Sequence, residues 1–213
     1  MSSVWDERAE AYRTSEAHRE GEDLDLLVEW ARGAKTALDV ATGGGHVARR
    51  LREAGCTVVT CDPAPGMKAD VLCHAEHLPF ADCSFDVVTC RVAAHHFEDV
   101  AAAVREMARV SGKLVLVADN LFVDEAGEEA DRLRDPTHVR NYSEGEWREL
   151  FAGSGLELEQ FEREEKWVQL HPWLERAGCT GDEAARVREI LAERIEDGKL
   201  RLDRGIFKAR KRP

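Results

Sequence analysis

The stretch that most constrains this chain is Leu38-Asp39-Val40-Ala41-Thr42-Gly43-Gly44-Gly45-His46. Thr36 to Ala41 is a short apolar run that reads as a buried strand. Consecutive glycines break it, and HVARRLREAG, ending at Gly55, reads as a helix. Glycine reaches positive φ without a Cβ penalty and lets another molecule approach the backbone closely. A helix start presents unpaired N–H groups that favour a carboxylate or phosphate. Thr57-Val-Val-Thr-Cys-Asp62 is a second apolar strand, and its terminal carboxylate can accept hydrogen bonds from both hydroxyls of a ribose. Ligands of open α/β sheets sit at these carboxyl ends.

The rest of the chain extends the alternation. Residues 4–20 and 22–33 read as helices, with Gly33 as a stop. Pro63 and Pro65 forbid an immediate helix after the second strand. Asp70-Val-Leu-Cys73 is a short third strand, Phe85 to Cys90 a fourth, 98–110 an amphipathic helix and Lys113 to Asp119 a fifth strand. Strands apolar throughout and separated by helices imply a mostly parallel sheet with helices on both faces. Beyond residue 119 the pattern loosens. Ser143 with Glu146 forms a capping box opening a helix over 143–153. Leu156 to Leu170 reads as one long strand, 181–197 as a helix and Leu202 to Arg210 as a last strand, which predicts an antiparallel C-terminal hairpin. Phe161, Trp167 and Trp173 are expected to pack in the core or cap. The expected organisation is one domain: an N-terminal helical cap (1–33), a ligand-binding core (34–120), a helical lid with substrate-side elements (121–200) and the final strand (201–213).

Length and composition fit this. A chain of 213 residues holds one α/β domain with its own core. A net charge of -12 speaks against a nucleic-acid or anionic-membrane partner. The basic run Lys208 to Arg212 reads as a solvated tail. The six cysteines show no C-x-x-C spacing, so free thiols in a reducing compartment are expected, with no metal. The start lacks an apolar leader, and no apolar run approaches the ~20 residues of a membrane span. The expectation is a cytoplasmic protein; no motif bears on its oligomeric state.

A loose dinucleotide fingerprint, Gly43-x-Gly45-x-x-Ala48 followed by Asp62, leaves a nicotinamide-dependent oxidoreductase open. Further segments point elsewhere. The glycine segment resembles motif I of the class I S-adenosylmethionine (SAM)-dependent methyltransferases. Ala75-Glu76-His77-Leu78-Pro79-Phe80 resembles their D-A-E-x-L-P-F stretch, Ser84 to Cys90 their fourth strand, and Gly112 to Val117 their fifth. Trp5 to Ala9 and the segment from Arg134 to Trp147 are similar to the ubiquinone/menaquinone-biosynthesis C-methyltransferase subgroup.

The resemblance implies a Rossmann-like fold, SAM as cofactor and methyl transfer to a small-molecule acceptor by in-line displacement. It implies cofactor roles for Asp39, Ala41, Gly43, Gly45, Asp62, Pro63, Ala75, Glu76 and Cys90. Tyr12, Arg91, His138, Arg140 and Tyr142 would face the acceptor. His95 and His96, just past the fourth strand, are the candidate general bases, since imidazole titrates near neutrality; capping of the next helix is the alternative. Two departures stand out: His74 occupies the place of the superfamily's Asp before Ala75, and the helix between the second and third strands is nearly absent. A SAM-binding protein without catalysis is the remaining alternative.

Overall fold

A computed structural model describes residues 4–212, leaving aside the side chains of Glu16 and Ala17. The first residues of the expected cap, Met1 to Ser3, and the terminal Pro213 lie outside the described residues. The chain opens with α1 (Val4–Thr14), α2 (Glu16–Arg19) and α3 (Glu22–Trp30), so Ser15 splits the first expected helix in two. Then follow β1 (Thr36–Val40), α4 (His46–Glu53), β2 (Thr57–Asp62), β3 (Val71–Leu72) and β4 (Phe85–Arg91). A single 3-10 turn, Pro65–Met67, replaces the helix between β2 and β3. The core continues with α5 (Val100–Val110) and β5 (Ser111–Asn120). The remainder is α6 (Glu125–Arg134), α7 (Glu144–Gly153), β6 (Leu156–Gln169), α8 (Leu170–Arg176), α9 (Gly181–Ile190), β7 (Ile195–Glu196) and β8 (Lys199–Lys211).

The strands form one sheet in the order β3-β2-β1-β4-β5-β8-β6, with β7 paired to β8. β3 to β5 run parallel; β8 is antiparallel to both β5 and β6. The chain leaves β1 in one direction along the sheet and returns to β4 on its other side. That reversal opens a crevice outside the carboxyl ends of β1 and β4.

Period-two alternation explains why these strands are buried on both faces. Leu38, Val40, Val88, Cys90, Val115, Val117 and Phe207 point to one side, against α5 and the aromatic pair Trp147 and Phe151 of α7. Ala37, Val87, Leu116, Ala118 and Ile206 point to the other, against Leu24 and Leu27 of α3 and Val47 and Leu51 of α4. Each fully buried aliphatic side chain contributes about 1.5–3 kcal/mol of transfer free energy. The capping box at Ser143 and Glu146 forms as the sequence indicates, each side chain bonding the other's backbone N–H.

Four expectations need correction. The basic run from Lys208 is no solvated tail, because Lys208 to Lys211 complete β8 within the sheet. The helix expected over 181–197 ends at Ile190; a 3-10 turn and β7 follow, because Asp197 (φ 48°) and Gly198 (φ 73°) turn the chain into a hairpin. α6 and α8 carry no strong apolar stripe of their own and were not expected as helices. They close a satellite core with α9 around Trp173, Leu174 and Val187. Trp167 is 43% exposed, since it lies on the solvent side of the edge strand β6.

Candidate active site

The crevice is a cavity of about 550 Å³, within the range of small-molecule sites. Its floor begins where β1 ends. Ala41 (φ 51°) and Gly43 (φ 51°) adopt left-handed backbone, and Gly45 (φ 74°) caps α4. A Cβ on Gly43 or Gly45 would meet no protein atom within 4 Å. Backbone conformation and the open space above, rather than packing, demand glycine there. Gly44 differs: its Cβ would lie 2.7 Å from the Tyr12 carbonyl oxygen, so α1 passes directly over the loop. β4 ends in the same way, on Val92 at φ 55°, an unusual conformation for a β-branched residue.

Two carboxylates hold the floor. Asp39 is buried under the loop and accepts from the Thr42 hydroxyl at 2.6 Å and the Thr89 hydroxyl at 2.9 Å. Burial raises its pKa against those two bonds. Asp62 accepts from the backbone N–H of Gly43 and of Ala64, one on each oxygen, both at 3.0 Å. A carboxylate has about four lone-pair sites, so each oxygen keeps one for a further donor. Burial raises the Asp62 pKa too.

α1 forms the opposite wall. Trp5 and Tyr12 line the cavity, and the helix seats on Ala64 and Met67. Asp6 accepts from the Gly66 N–H at 2.5 Å, Arg13 donates to the Gly66 carbonyl at 2.7 Å, and His46 Nε2 donates to the Tyr12 carbonyl at 3.0 Å. The third wall follows β3 and β4. Ala75 and Glu76 line it beside His74, and one Glu76 oxygen accepts from the Glu98 N–H at 3.1 Å.

His95 and His96 lie together, ring centroids 4.1 Å apart, with different surroundings. Buried His95 donates Nδ1–H to Asp119 at 2.6 Å. Burial opposes its charged form, but Asp119 outweighs that and raises its pKa. His96 donates Nδ1–H to the Thr137 carbonyl at 3.0 Å, and its ring lines the cavity against Trp5. Burial and then the charge of His95 lower its pKa to about 3. The ring is therefore neutral, with its Nε2 lone pair available.

The cavity brings together Asp39, Ala41, Gly43, Asp62, Pro63, Ala75, Glu76, Tyr12, Arg91 and His96. Gly45, Cys90, His95, His138, Arg140 and Tyr142 stand outside it. Cys90 points into the core because alternation along β4 sends it opposite Arg91. The loop after α6 alternates too: Thr137 and Val139 reach the cavity. His138 turns to Glu128, 3.2 Å away, and Arg140 to Glu146 at 2.6 Å and over the Tyr142 ring. Residues that sequence reasoning passed over include His18, His46, Val92, Thr137 and Val139. His46 was legible as the first residue after the glycines, and Thr137 and Val139 lay in the segment from Arg134 to Trp147 with nothing to show which of its residues face the cavity; His18 and Val92 carried no signal of their own. One cluster of metal-ligand type, Glu128, Asp131 and His138, lies among the described residues. Its members are already bonded: Glu128 to the Asn141 N–H and Asp131 to the Asn141 side chain.

Residues 38–116 match the methyltransferase domain family model. The uncharacterized methyltransferase YcgJ of Bacillus subtilis is 34% identical over 203 residues, covering 84% of this chain and 80% of that protein. The crystal structure of YcgJ superposes with a TM-score of 0.81 at 28% identity, over 90% of this chain and 99% of that one. A demethylmenaquinone methyltransferase of Beutenbergia cavernae is 37% identical over 106 residues, 44% of this chain and 43% of that protein. With the strand order, the glycine floor and the acid closing β2, these similarities show that the chain belongs to the class I SAM-dependent methyltransferases.

Proposed function

We propose that the protein transfers a methyl group from SAM to a small-molecule acceptor in the crevice above β1 and β4. The observation that carries this reading is the pairing of an open glycine floor with the half-used carboxylate of Asp62 inside one cavity. The residues fit the cofactor. The remaining lone pairs of Asp62 suit two ribose hydroxyls, Pro63 and Ala64 offer an apolar face to the adenine, and Gly43 leaves space for the amino-acid end. His74 takes the adenine-side position with an imidazole that can accept one hydrogen bond.

When bound, SAM supplies a sulfonium-activated methyl group that needs only an aligned nucleophile. The chain's own contribution is then positioning and exclusion of water. Trp5 and Tyr12 of α1 cover the crevice, and Thr137 and Val139 close it from the lid side. His96 is placed to take a proton at Nε2 where the acceptor must lose one, since Nδ1–H is committed to Thr137. His95 acts through His96: its ring lies against the His96 ring, tilted by 47° at 4.1 Å, and its charge keeps that ring neutral. Six free thiols, with Cys56, Cys61, Cys90 and Cys179 buried, fit a reducing cytoplasm. Among the described residues no helix is long and apolar enough to cross a membrane.

S-adenosylhomocysteine or SAM should raise the Tm, and NAD(H) or NADP(H) should not, because only a ligand of the native state stabilises it. Stabilisation by the nicotinamide cofactors alone would reverse the reading. Asp62→Ala should weaken S-adenosylhomocysteine binding by about 1.5–3 kcal/mol in calorimetry, the range for hydrogen bonds to a charged group. Unchanged affinity would move the ribose elsewhere.

A further inference from the structure

We propose that the acceptor is a carboxylic acid whose carboxylate docks in a cationic recess adjoining the main cavity; this rests on the methyl-transfer reading above. The recess measures about 40 Å³. Tyr12, His18, Val92 and His96 line both spaces, so the two lie side by side at the candidate base. Around the recess stand Arg134, Lys166, Arg176 and Arg204, drawn from α6, β6, α8 and β8.

Among the described residues too few free carboxylates stand beside them to balance their charge. Asp23 is fully buried and bonds Lys166 at 3.1 Å and Arg204 at 2.7 Å, but it also holds Arg91 at 2.7 and 3.0 Å. One carboxylate thus serves three cations. Asp119 is taken by His95, and Asp135 by Arg8 at 2.9 Å. Among the described residues neither Arg134 nor Arg176 is paired with a carboxylate. Arg134 donates to the Trp173 carbonyl and lies over its ring, and Arg176 donates to the Ser15 hydroxyl. The Nε atoms of Arg176 and Arg204 are buried without any partner, and Arg204 is only 4% exposed.

A buried donor left unpaired costs about 1–3 kcal/mol, more when charged, so an arrangement of several calls for an outside acceptor. Burial and the neighbouring Arg134 push Arg176 down to about 10. Burial and Arg204 likewise lower Lys166. Burial is the larger cause in both, and a neighbouring cation adds to it. SAM does not relieve this positive charge, because its sulfonium and ammonium outnumber its single carboxylate. Size selects the anion. The space accommodates on the order of three water-sized groups, which fits the atoms of a carboxylate and falls short of a phosphate. Guanidinium groups match a planar carboxylate through paired N–H donors.

The test uses protein saturated with S-adenosylhomocysteine. Benzoate and hexanoate are titrated against benzamide, hexanamide and inorganic phosphate by calorimetry. The expected result is that an acid binds about tenfold or more tightly than its amide. Arg176→Gln and Arg134→Gln should each lose that preference, Arg176→Lys should retain part of it, and affinity for S-adenosylhomocysteine should stay unchanged in all. Equal binding of acid and amide, no acid binding, a preference for phosphate, or an undiminished preference in Arg176→Gln would overturn the proposal. So would a parallel loss of S-adenosylhomocysteine affinity, which would assign these cations to the cofactor's own carboxylate. Failure of S-adenosylhomocysteine to bind the unaltered protein sinks the methyl-transfer reading instead. The acid–amide comparison on cofactor-free protein then still judges the recess.

Discussion

Replacing Asp23 by Asn tests how far one carboxylate holds three segments of the chain together. The side chain on α3 accepts four charge-assisted hydrogen bonds, from Arg91 on β4, Lys166 on β6 and Arg204 on β8. All four side chains are at most 9% exposed, so solvent cannot take over the lost bonds. Asparagine keeps the shape but removes the charge, and it turns an N–H₂ donor toward cations. Breaking a buried ion pair by removing one partner costs about 3–5 kcal/mol. For a chain of this size that lowers Tm by about 6–20 °C, at roughly 2–4 °C per kcal/mol.

The effect also has a pH signature. Burial alone would raise the Asp23 pKa, but Arg204, Arg91 and Lys166 hold it well below the ordinary carboxylate range. A depressed folded pKa stabilises above the unfolded value, near 3.9, and that stability is lost as pH falls through this value toward the folded one. Urea unfolding followed by circular dichroism should therefore show a large gap between wild type and Asp23→Asn at pH 7 that narrows below about pH 4. A loss under about 1 kcal/mol at pH 7, the size of an exposed pair, would refute the reasoning.

Gly44→Ala forces a Cβ to within 2.7 Å of the Tyr12 carbonyl oxygen. It should cost about 1–3 kcal/mol, unseat α1, and show as faster hydrogen exchange over residues 4–14 with weaker S-adenosylhomocysteine binding; unchanged exchange would mean the helix is not held there. The His96 ring, its pKa lowered to about 3, should show a flat ¹³Cε1 NMR shift above about pH 5. Only the unfolded chain then takes that proton between about pH 6.5 and the folded value, so this site costs stability as pH falls through that window. A titration midpoint near 6.5 would show the ring to be solvated.

What was legible in the sequence was what lies close together along it. Asp39, the glycines and Asp62 belong to consecutive elements with a fixed physical relation, strand to turn to helix to strand. Ser143 and Glu146 formed their capping box because its rule spans one helical turn. Side-chain direction at element ends was not legible. Cys90 and Arg91 are neighbours, and only the sheet's packing decides which one faces the core. The same held for His138 and Arg140 beside Thr137 and Val139. The cationic recess was invisible for a stronger reason. Arg134, Lys166, Arg176 and Arg204 each read as an ordinary surface charge in an acidic chain, and the pairing of β8 with β6 brings Lys166 and Arg204 to one place.

α1 touches both loops that carry the crevice floor, at Gly44 and at Gly66, and both lack a Cβ where the helix lies against them. The helix and any occupant of the crevice thus stand on the same ground and reinforce each other. Protein shortened past residue 14 would lose one side of its binding chamber while keeping every strand of the sheet, so folding and ligand capture would come apart in such a fragment.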